Sequence, residues 1–155
     1  MKNLTYIIIA ALALAGCSQR THDMPSSSMA PSIPAGSKIT IDYSAYETTT
    51  PARFDIVAFH PPSQPTAIFI FRAIGLPGEN VTLSDTAVLI NGKEVSPPNG
   101  LQYFPMASGI NQTNLNSTQF FLLGDNTTNA RDSRYLGPIE QTNIIGKVIK
   151  IEPKH

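Results

Sequence analysis

Apolar and polar residues alternate over short stretches of this chain, and proline or glycine ends most of these stretches. A period of two is typical of half-buried β-strands, and it predicts a strand over residues 38–43. Mostly apolar runs predict two further strands, over residues 54–59, where Pro61-Pro62 closes the strand, and over residues 67–74, which carry apolar residues on both faces. No segment shows sustained helical periodicity, and the 13 prolines and 10 glycines indicate many turns. The sequence therefore predicts an all-β domain with a barrel-like core.

The second half of the chain carries the strongest local turn signal. Asn91-Gly92 joins two predicted short strands, residues 87–90 and 93–95, because both turn residues accept the positive φ of a type I′ hairpin. Residues 96–117 are polar and rich in proline, glycine and asparagine, which predicts a long loop. Further strands are predicted over residues 80–83, 119–123 and 144–151. The hairpin is therefore expected to form a small lobe inserted into the β core.

The first residues predict export and membrane anchoring rather than a fold. Lys2 precedes an apolar run over residues 4–15, which fits a signal-peptide core and is short for a membrane span of about 20 residues. The run ends at Ala15-Gly16-Cys17. This sequence resembles the lipobox of bacterial lipoproteins, in which the cysteine is acylated and becomes the mature N-terminus.

The lipobox resemblance implies a signal peptide over residues 1–16, a lipid-anchored tether over 17–27 and a folded domain over 28–155. Two or three acyl chains on Cys17 give firm anchoring, since one chain alone is marginal. The implied location is the bacterial cell envelope, facing the periplasm, and the residue after the cysteine, Ser18, favours the outer membrane. An ordinary signal peptide and an uncleaved anchor are the alternatives.

Charge and cysteine content narrow the possible partners. Lysine plus arginine equals aspartate plus glutamate, charged residues make up 14 % of the chain, and no basic run stands out. This pattern argues against a nucleic-acid partner. The single cysteine rules out an intrachain disulfide, and we expect no cofactor and no metal.

Four segments carry sequence motifs that occur in a fixed order. They are Ser-Met-Ala-Pro from Ser28, the strand over 54–59, Arg-Ala-Ile-Gly-Leu-Pro-Gly-Glu over 72–79, and Gly-Asp-Asn with Asp-Ser-Arg-Tyr over 124–135. Together they resemble type I signal peptidase, the serine endopeptidase that removes signal peptides from exported proteins. The resemblance implies a signal-peptidase-like β-barrel or coiled-sheet core with a small inserted hairpin lobe. It also implies an extended peptide or signal peptide as the partner.

The resemblance assigns roles to several residues. Ser28 matches the nucleophile, and Ser26 matches a residue whose hydroxyl forms the oxyanion hole with the backbone N–H of Ser28. Four charged residues match those that form structural ion pairs in the family: Arg72, Asp125, Asp132 and Arg134.

Other positions depart from the family pattern. The general-base lysine directly before the arginine of the third segment is Phe71 here, and the serine that helps to orient that lysine is Ala130. The arginine usual after Gly-Asp-Asn is Thr127. A serine hydroxyl is a poor nucleophile until a neighbouring group takes its proton, and phenylalanine cannot do so. The pattern therefore predicts a retained Ser28 in a site that has lost its base.

Another residue could in principle serve as the base. His60 follows the second predicted strand, although relatives with a histidine base place it at the position of Phe71. Lys38 is expected to be solvated, His22 falls in the predicted tether and His155 ends the sequence.

Three functions follow from these observations. The first is an envelope protein of the signal peptidase I type that binds extended signal-peptide-like segments and is impaired in cleavage. The second is an active serine endopeptidase that uses a non-standard base. The third is a structural envelope lipoprotein.

Overall fold

The computed structural model describes residues 18–154, so the predicted signal peptide, Cys17 and His155 lie outside the described residues. Within this range, no helix is long and apolar enough to cross a membrane. The elements are β1 Gln19–Met24, β2 Ser37–Asp42, β3 Ile56–Phe59, β4 Phe69–Gly75, β5 Asn80–Leu83, β6 Val88–Ile90, β7 Lys93–Val95, β8 Gln112–Asn114, β9 Gln119–Leu123, α1 Ser133–Leu136, β10 Ile139–Glu140 and β11 Ile144–Glu152.

The strands form two antiparallel sheets. The main sheet has seven strands in the order β1-β2-β11-β3-β4-β9-β10, and the smaller sheet has four in the order β7-β6-β5-β8. The prediction of an all-β fold is confirmed, since α1 spans a single turn of four residues. The Asn91-Gly92 turn also forms as predicted, with φ of 51° and 76°, and β7 pairs with β6 beyond it.

Strand β9 connects the cores of the two sheets. Successive side chains of a strand point to opposite faces, so Phe120 and Leu122 pack in the core of the main sheet while Phe121 and Leu123 pack in the core of the lobe. The lobe is therefore built on the back of the strand that leads into the Gly-Asp-Asn segment.

The N-terminal segment differs from its prediction. Residues 17–27 were predicted to form a tether, but Gln19–Met24 forms β1 and pairs with β2 along its whole length. The backbone of Ser18 also accepts a hydrogen bond from the Tyr43 N–H at 3.0 Å. Met24 is the only buried residue of β1. The rest of this edge strand is polar, so its sequence lacks the apolar residues that would predict a strand.

The long loop predicted over residues 96–117 also contains regular structure. Gln112–Asn114 forms β8, which pairs with β5 at the edge of the small sheet, and Pro98–Gly100 forms a 3₁₀ turn. Polar edge strands of three residues lack the apolar alternation by which strands are recognised in a sequence.

Candidate active site

The serine segment directly follows β1. Ser26 precedes a turn that contains Ser28 and Met29, and the segment is anchored by two fully buried residues, Met29 and Ile33. The N–H of Ile33 donates to the carbonyl of Met29 at 2.8 Å. The Oγ atoms of Ser26 and Ser28 are 3.0 Å apart, so the two hydroxyls are hydrogen-bonded to each other.

Two asparagines fasten this serine segment to the loop after β9. Asn126 donates from its backbone to the Ser28 carbonyl at 3.0 Å and from its side chain to the Ser27 carbonyl at 3.1 Å. Asn129 donates to Ser27 Oγ at 2.7 Å. Sequence reasoning missed both asparagines as site residues, although Asn126 belongs to the Gly-Asp-Asn segment that drew attention.

Phe71 lies on β4, directly before Arg72. It is 3 % exposed and packs against the rings of Phe59 and Phe69, with ring centroids 5.7 and 6.0 Å away. A Cβ atom placed on Gly124 would lie 2.4 Å from Ala130 Cβ, 2.7 Å from the Ser28 carbonyl oxygen and 3.2 Å from Phe71 Cε1. The two departures from the family pattern and the serine therefore meet around one glycine.

The Ser28 hydroxyl makes no hydrogen bond to a nitrogen atom of residues 18–154. Among residues 18–154, its hydrogen-bond partner is Ser26 Oγ alone. His60 is not among the residues that line the cleft next to Ser28, and its Nδ1 lies 2.7 Å from the Ala67 carbonyl oxygen. Lys38 is exposed and stands across from Asp23 in the β1–β2 register.

Arg72 and Asp125 form a buried ion pair beneath the site. Arg72 Nε donates to Asp125 Oδ1 at 2.9 Å, and the Tyr103 hydroxyl donates to the same oxygen at 2.6 Å. Burial lowers the pKa of Arg72, but the hydrogen bond and charge of Asp125 outweigh it and raise that pKa overall. Burial and the Asp125 charge raise the pKa of Tyr103 as well. Arg72 therefore stays protonated and cannot serve as a base.

A second buried pair orders the loop that carries Ala130. Arg134 donates to both oxygens of Asp132, at 2.9 and 2.8 Å, and Asp132 Oδ2 also accepts from the Gly124 N–H at 3.0 Å. Arg134 further donates to the carbonyl of Thr127 at 2.9 Å. All four charged residues singled out in the sequence thus lie in two buried ion pairs, which stabilise the segments around the site.

A cleft of about 360 Å³ opens beside Ser28. Its polar members include His22, Ser26 and Ser28. Its apolar lining comes from β1, β2, β4 and the residues next to them, and it consists of Met24, Pro25, Ile39, Ile41, Ile68, Phe69, Ile70 and Phe71. His22 was assigned to a tether by sequence reasoning, whereas the structure places it on β1 at this cleft.

The architecture and the serine segment can now be compared with known proteins. The family model described as "Signal peptidase, peptidase S26" matches residues 1–151. The chain belongs to this signal peptidase family. It is 32 % identical to signal peptidase I of Leptolyngbya laminosa over 96 % of this chain and 76 % of that protein. It is also 31 % identical to signal peptidase I V of Bacillus subtilis, over 81 % of this chain and 80 % of that protein.

A solved signal peptidase supports the same assignment. The crystal structure of a signal peptidase I from Enterococcus faecalis superposes with a TM-score of 0.52 at 31 % identity, covering 66 % of this chain and 98 % of that one. Signal peptidases I act on the signal peptides of secreted precursors, which implies a membrane or envelope context. The resemblance drawn from the four sequence motifs is therefore confirmed at the level of the family and its fold.

Proposed function

We propose that this member of the signal peptidase family binds extended signal-peptide-like segments and is impaired in cleaving them. The proposal rests on one observation: within residues 18–154, the Ser28 hydroxyl makes no hydrogen bond to a nitrogen atom. A general base contributes about 10²–10⁴ in rate. Where base and nucleophile act as a unit, the loss on removing one can reach about 10⁶.

The two departures near Ser28 support the same conclusion. Phe71 fills the base position with a ring packed against two other rings, and Ala130 offers no hydroxyl to orient a base. What remains is the Ser26 hydroxyl beside Ser28, which suits binding of a carbonyl oxygen. An oxyanion hole and a binding cleft alone leave a rate enhancement of roughly 10³–10⁴-fold over the uncatalysed reaction.

Two strand edges next to the cleft support peptide binding. Among the described strands, β1 pairs with β2 alone, and β4 pairs with β9 only from Arg72 onward. The backbone of β1 and the start of β4 therefore face the cleft without a partner strand on that side. An extended peptide can add to such an edge through main-chain hydrogen bonds, while alternate side chains enter the apolar cleft.

The test uses a labelled peptide with small residues at alternate positions, that is, two alanines separated by any one residue (Ala-x-Ala). It is incubated with wild type, Ser28→Ala and His60→Ala. We expect the peptide to bind all three proteins with similar affinity and to remain uncleaved on the timescale of an active signal peptidase. Robust cleavage that Ser28→Ala abolishes would overturn the proposal in favour of an active enzyme, and loss in His60→Ala would identify its base. Absence of binding by titration calorimetry would favour a structural envelope lipoprotein.

Anchoring through Cys17 is a further part of the proposal. Its support is the apolar run over 4–15 that ends at the single cysteine of the chain. Residues 1–16 are then removed, and the folded domain faces the periplasm, with the outer membrane favoured by Ser18. We expect Cys17→Ser to move the protein from the membrane fraction to the soluble fraction and to remove the acyl mass. An unchanged distribution and mass would contradict lipid anchoring.

A further inference from the structure

The outer end of the cleft differs in charge from its floor. Arg20, His22 and Met24 alternate along β1 and therefore point to the same face of the strand. Met24 is buried against the apolar floor, His22 is half-buried and Arg20 is exposed. Along this face of β1, the side chains therefore change from apolar at Met24, near Ser28, to cationic at Arg20, four positions further from Ser28.

Tyr43 holds the two basic side chains in place. Its hydroxyl lies 2.8 Å from His22 Nε2, and the Arg20 guanidinium lies 5.8 Å from the centre of its ring. The His22 ring lines the cleft and makes no other hydrogen bond to the described residues, so Nδ1 has no partner among them. In the tautomer in which Nε2 accepts the tyrosine proton, the imidazole carries its own proton on Nδ1 and can donate it to an acceptor.

The nearby carboxylates do not neutralise this end of the face. Asp23 also borders the cleft, but it alternates to the opposite face of β1, where it stands across from Lys38. Asp42 alternates with Ile41 along β2, so its side chain lies on the face opposite to Ile39 and Ile41, where its Oδ1 accepts hydrogen bonds from the hydroxyls of Ser18 and Ser44. Arg20 is therefore the charged side chain that shares this face with His22, and its guanidinium lies over the ring of Tyr43.

We propose that His22 is a specificity-determining residue that selects peptides with a carboxylate side chain at the outer end of the cleft. This inference rests on the proposed function, since it concerns the peptide bound beside Ser28. In a peptide added to β1, side chains that enter the cleft are two residues apart. One of them meets the apolar surface at Met24, and the next meets His22 and Arg20. The bound segment therefore combines a small or apolar residue with an aspartate or glutamate two positions away.

The test is an aspartate scan of one labelled Ala-x-Ala peptide, with an asparagine peptide as the neutral match at each position. Binding is measured by fluorescence anisotropy. At one position we expect the aspartate peptide to bind wild type roughly tenfold more tightly than its asparagine match, because a hydrogen bond to a charged group is worth that much. His22→Phe should reduce this ratio to about one and leave the affinity for the asparagine peptide within about twofold.

Two further variants separate recognition from a loss of structure. Tyr43→Phe keeps His22 but removes the hydroxyl that positions it, and is expected to give an intermediate ratio. His60→Phe replaces a histidine that does not line the cleft and should leave the ratio unchanged. Equal ratios in wild type and His22→Phe, with peptides still bound, would overturn the selectivity and leave the proposed function intact. Failure of every peptide to bind wild type would overturn the proposed function and this inference together.

Discussion

The double variant Phe71→Lys, Ala130→Ser is expected to cleave an Ala-x-Ala peptide at least about 10²-fold faster than wild type. The geometry supports this gain because both positions lie close to Ser28. A Cβ atom placed on Gly124 would lie within 3.2 Å of Ala130 Cβ, the Phe71 ring and the Ser28 carbonyl oxygen. The Ser26 hydroxyl already lies 3.0 Å from Ser28 Oγ. Under the proposed function, the site formed by residues 18–154 lacks a proton acceptor and its orienting group, and the variant supplies both.

The surroundings of Phe71 suit a neutral lysine. The side chain is 3 % exposed and lies among aromatic rings of β3 and β4. Burial disfavours the charged form of an amine and lowers its pKa, which is the condition for a lysine to accept the serine proton. The added hydroxyl of Ala130→Ser would then hold the amine toward Ser28 by a hydrogen bond.

The controls for this experiment follow from the same geometry. Phe71→Met has a similar length and flexibility to lysine but no amine, so with Ala130→Ser it should remain inactive. Adding Ser28→Ala to the active double variant should abolish the gained cleavage. A double variant that folds, as judged by circular dichroism, and shows no gain over wild type would contradict the view that base loss alone limits this site.

Asp125→Asn is expected to destabilise the protein by about 3–5 kcal/mol, because it leaves the buried Arg72 without its countercharge. The side chains of Arg72 and Asp125 are 7 % and 0 % exposed, so water cannot replace the lost carboxylate. The same substitution also disturbs the bond from the buried Tyr103 hydroxyl. The free energy of unfolding is to be measured by urea titration monitored by circular dichroism.

The matched control for Asp125→Asn is Glu152→Gln, which also converts a carboxylate of an ion pair into an amide. Glu152 pairs with Lys150 on the surface, where the two side chains are 50 % and 63 % exposed. Exposed pairs contribute roughly 0.2–1 kcal/mol, so this variant should change the free energy of unfolding by less than about 1 kcal/mol. Similar losses in the two variants would contradict the importance assigned to burial.

Part of the fold could be predicted from local sequence patterns. β2, β3, β4 and the Asn91-Gly92 hairpin carry local signals. These are alternation in β2, short apolar runs in β3 and β4, and turn chemistry in the hairpin, all of which act between neighbouring residues. The edge strand β1 carries no such signal, since only Met24 is fully buried in it. Because β1 was assigned to a tether, the position of His22 at the cleft could not be predicted either.

Only those residues of the site that belong to sequence motifs could be predicted. Ser26, Ser28 and Phe71 were singled out by their motifs, and the structure brings them to one cleft. Asn129, by contrast, bonds to Ser27 across 102 positions of the chain, a contact that no local pattern encodes. Tertiary packing creates such contacts, so they become visible only when strands far apart in the sequence are placed side by side.

The position of β11 in the main sheet bears on when the cleft can form during synthesis. β11 follows every other described strand in the chain, yet it lies between β2 and β3 and pairs with both. Until it emerges, the β1–β2 pair and the β3–β4 pair have no strand to join them. Such non-local pairings form slowly and leave unpaired edges exposed in the meantime. The cleft beside Ser28 is therefore assembled late, after nearly all of the described chain has left the ribosome.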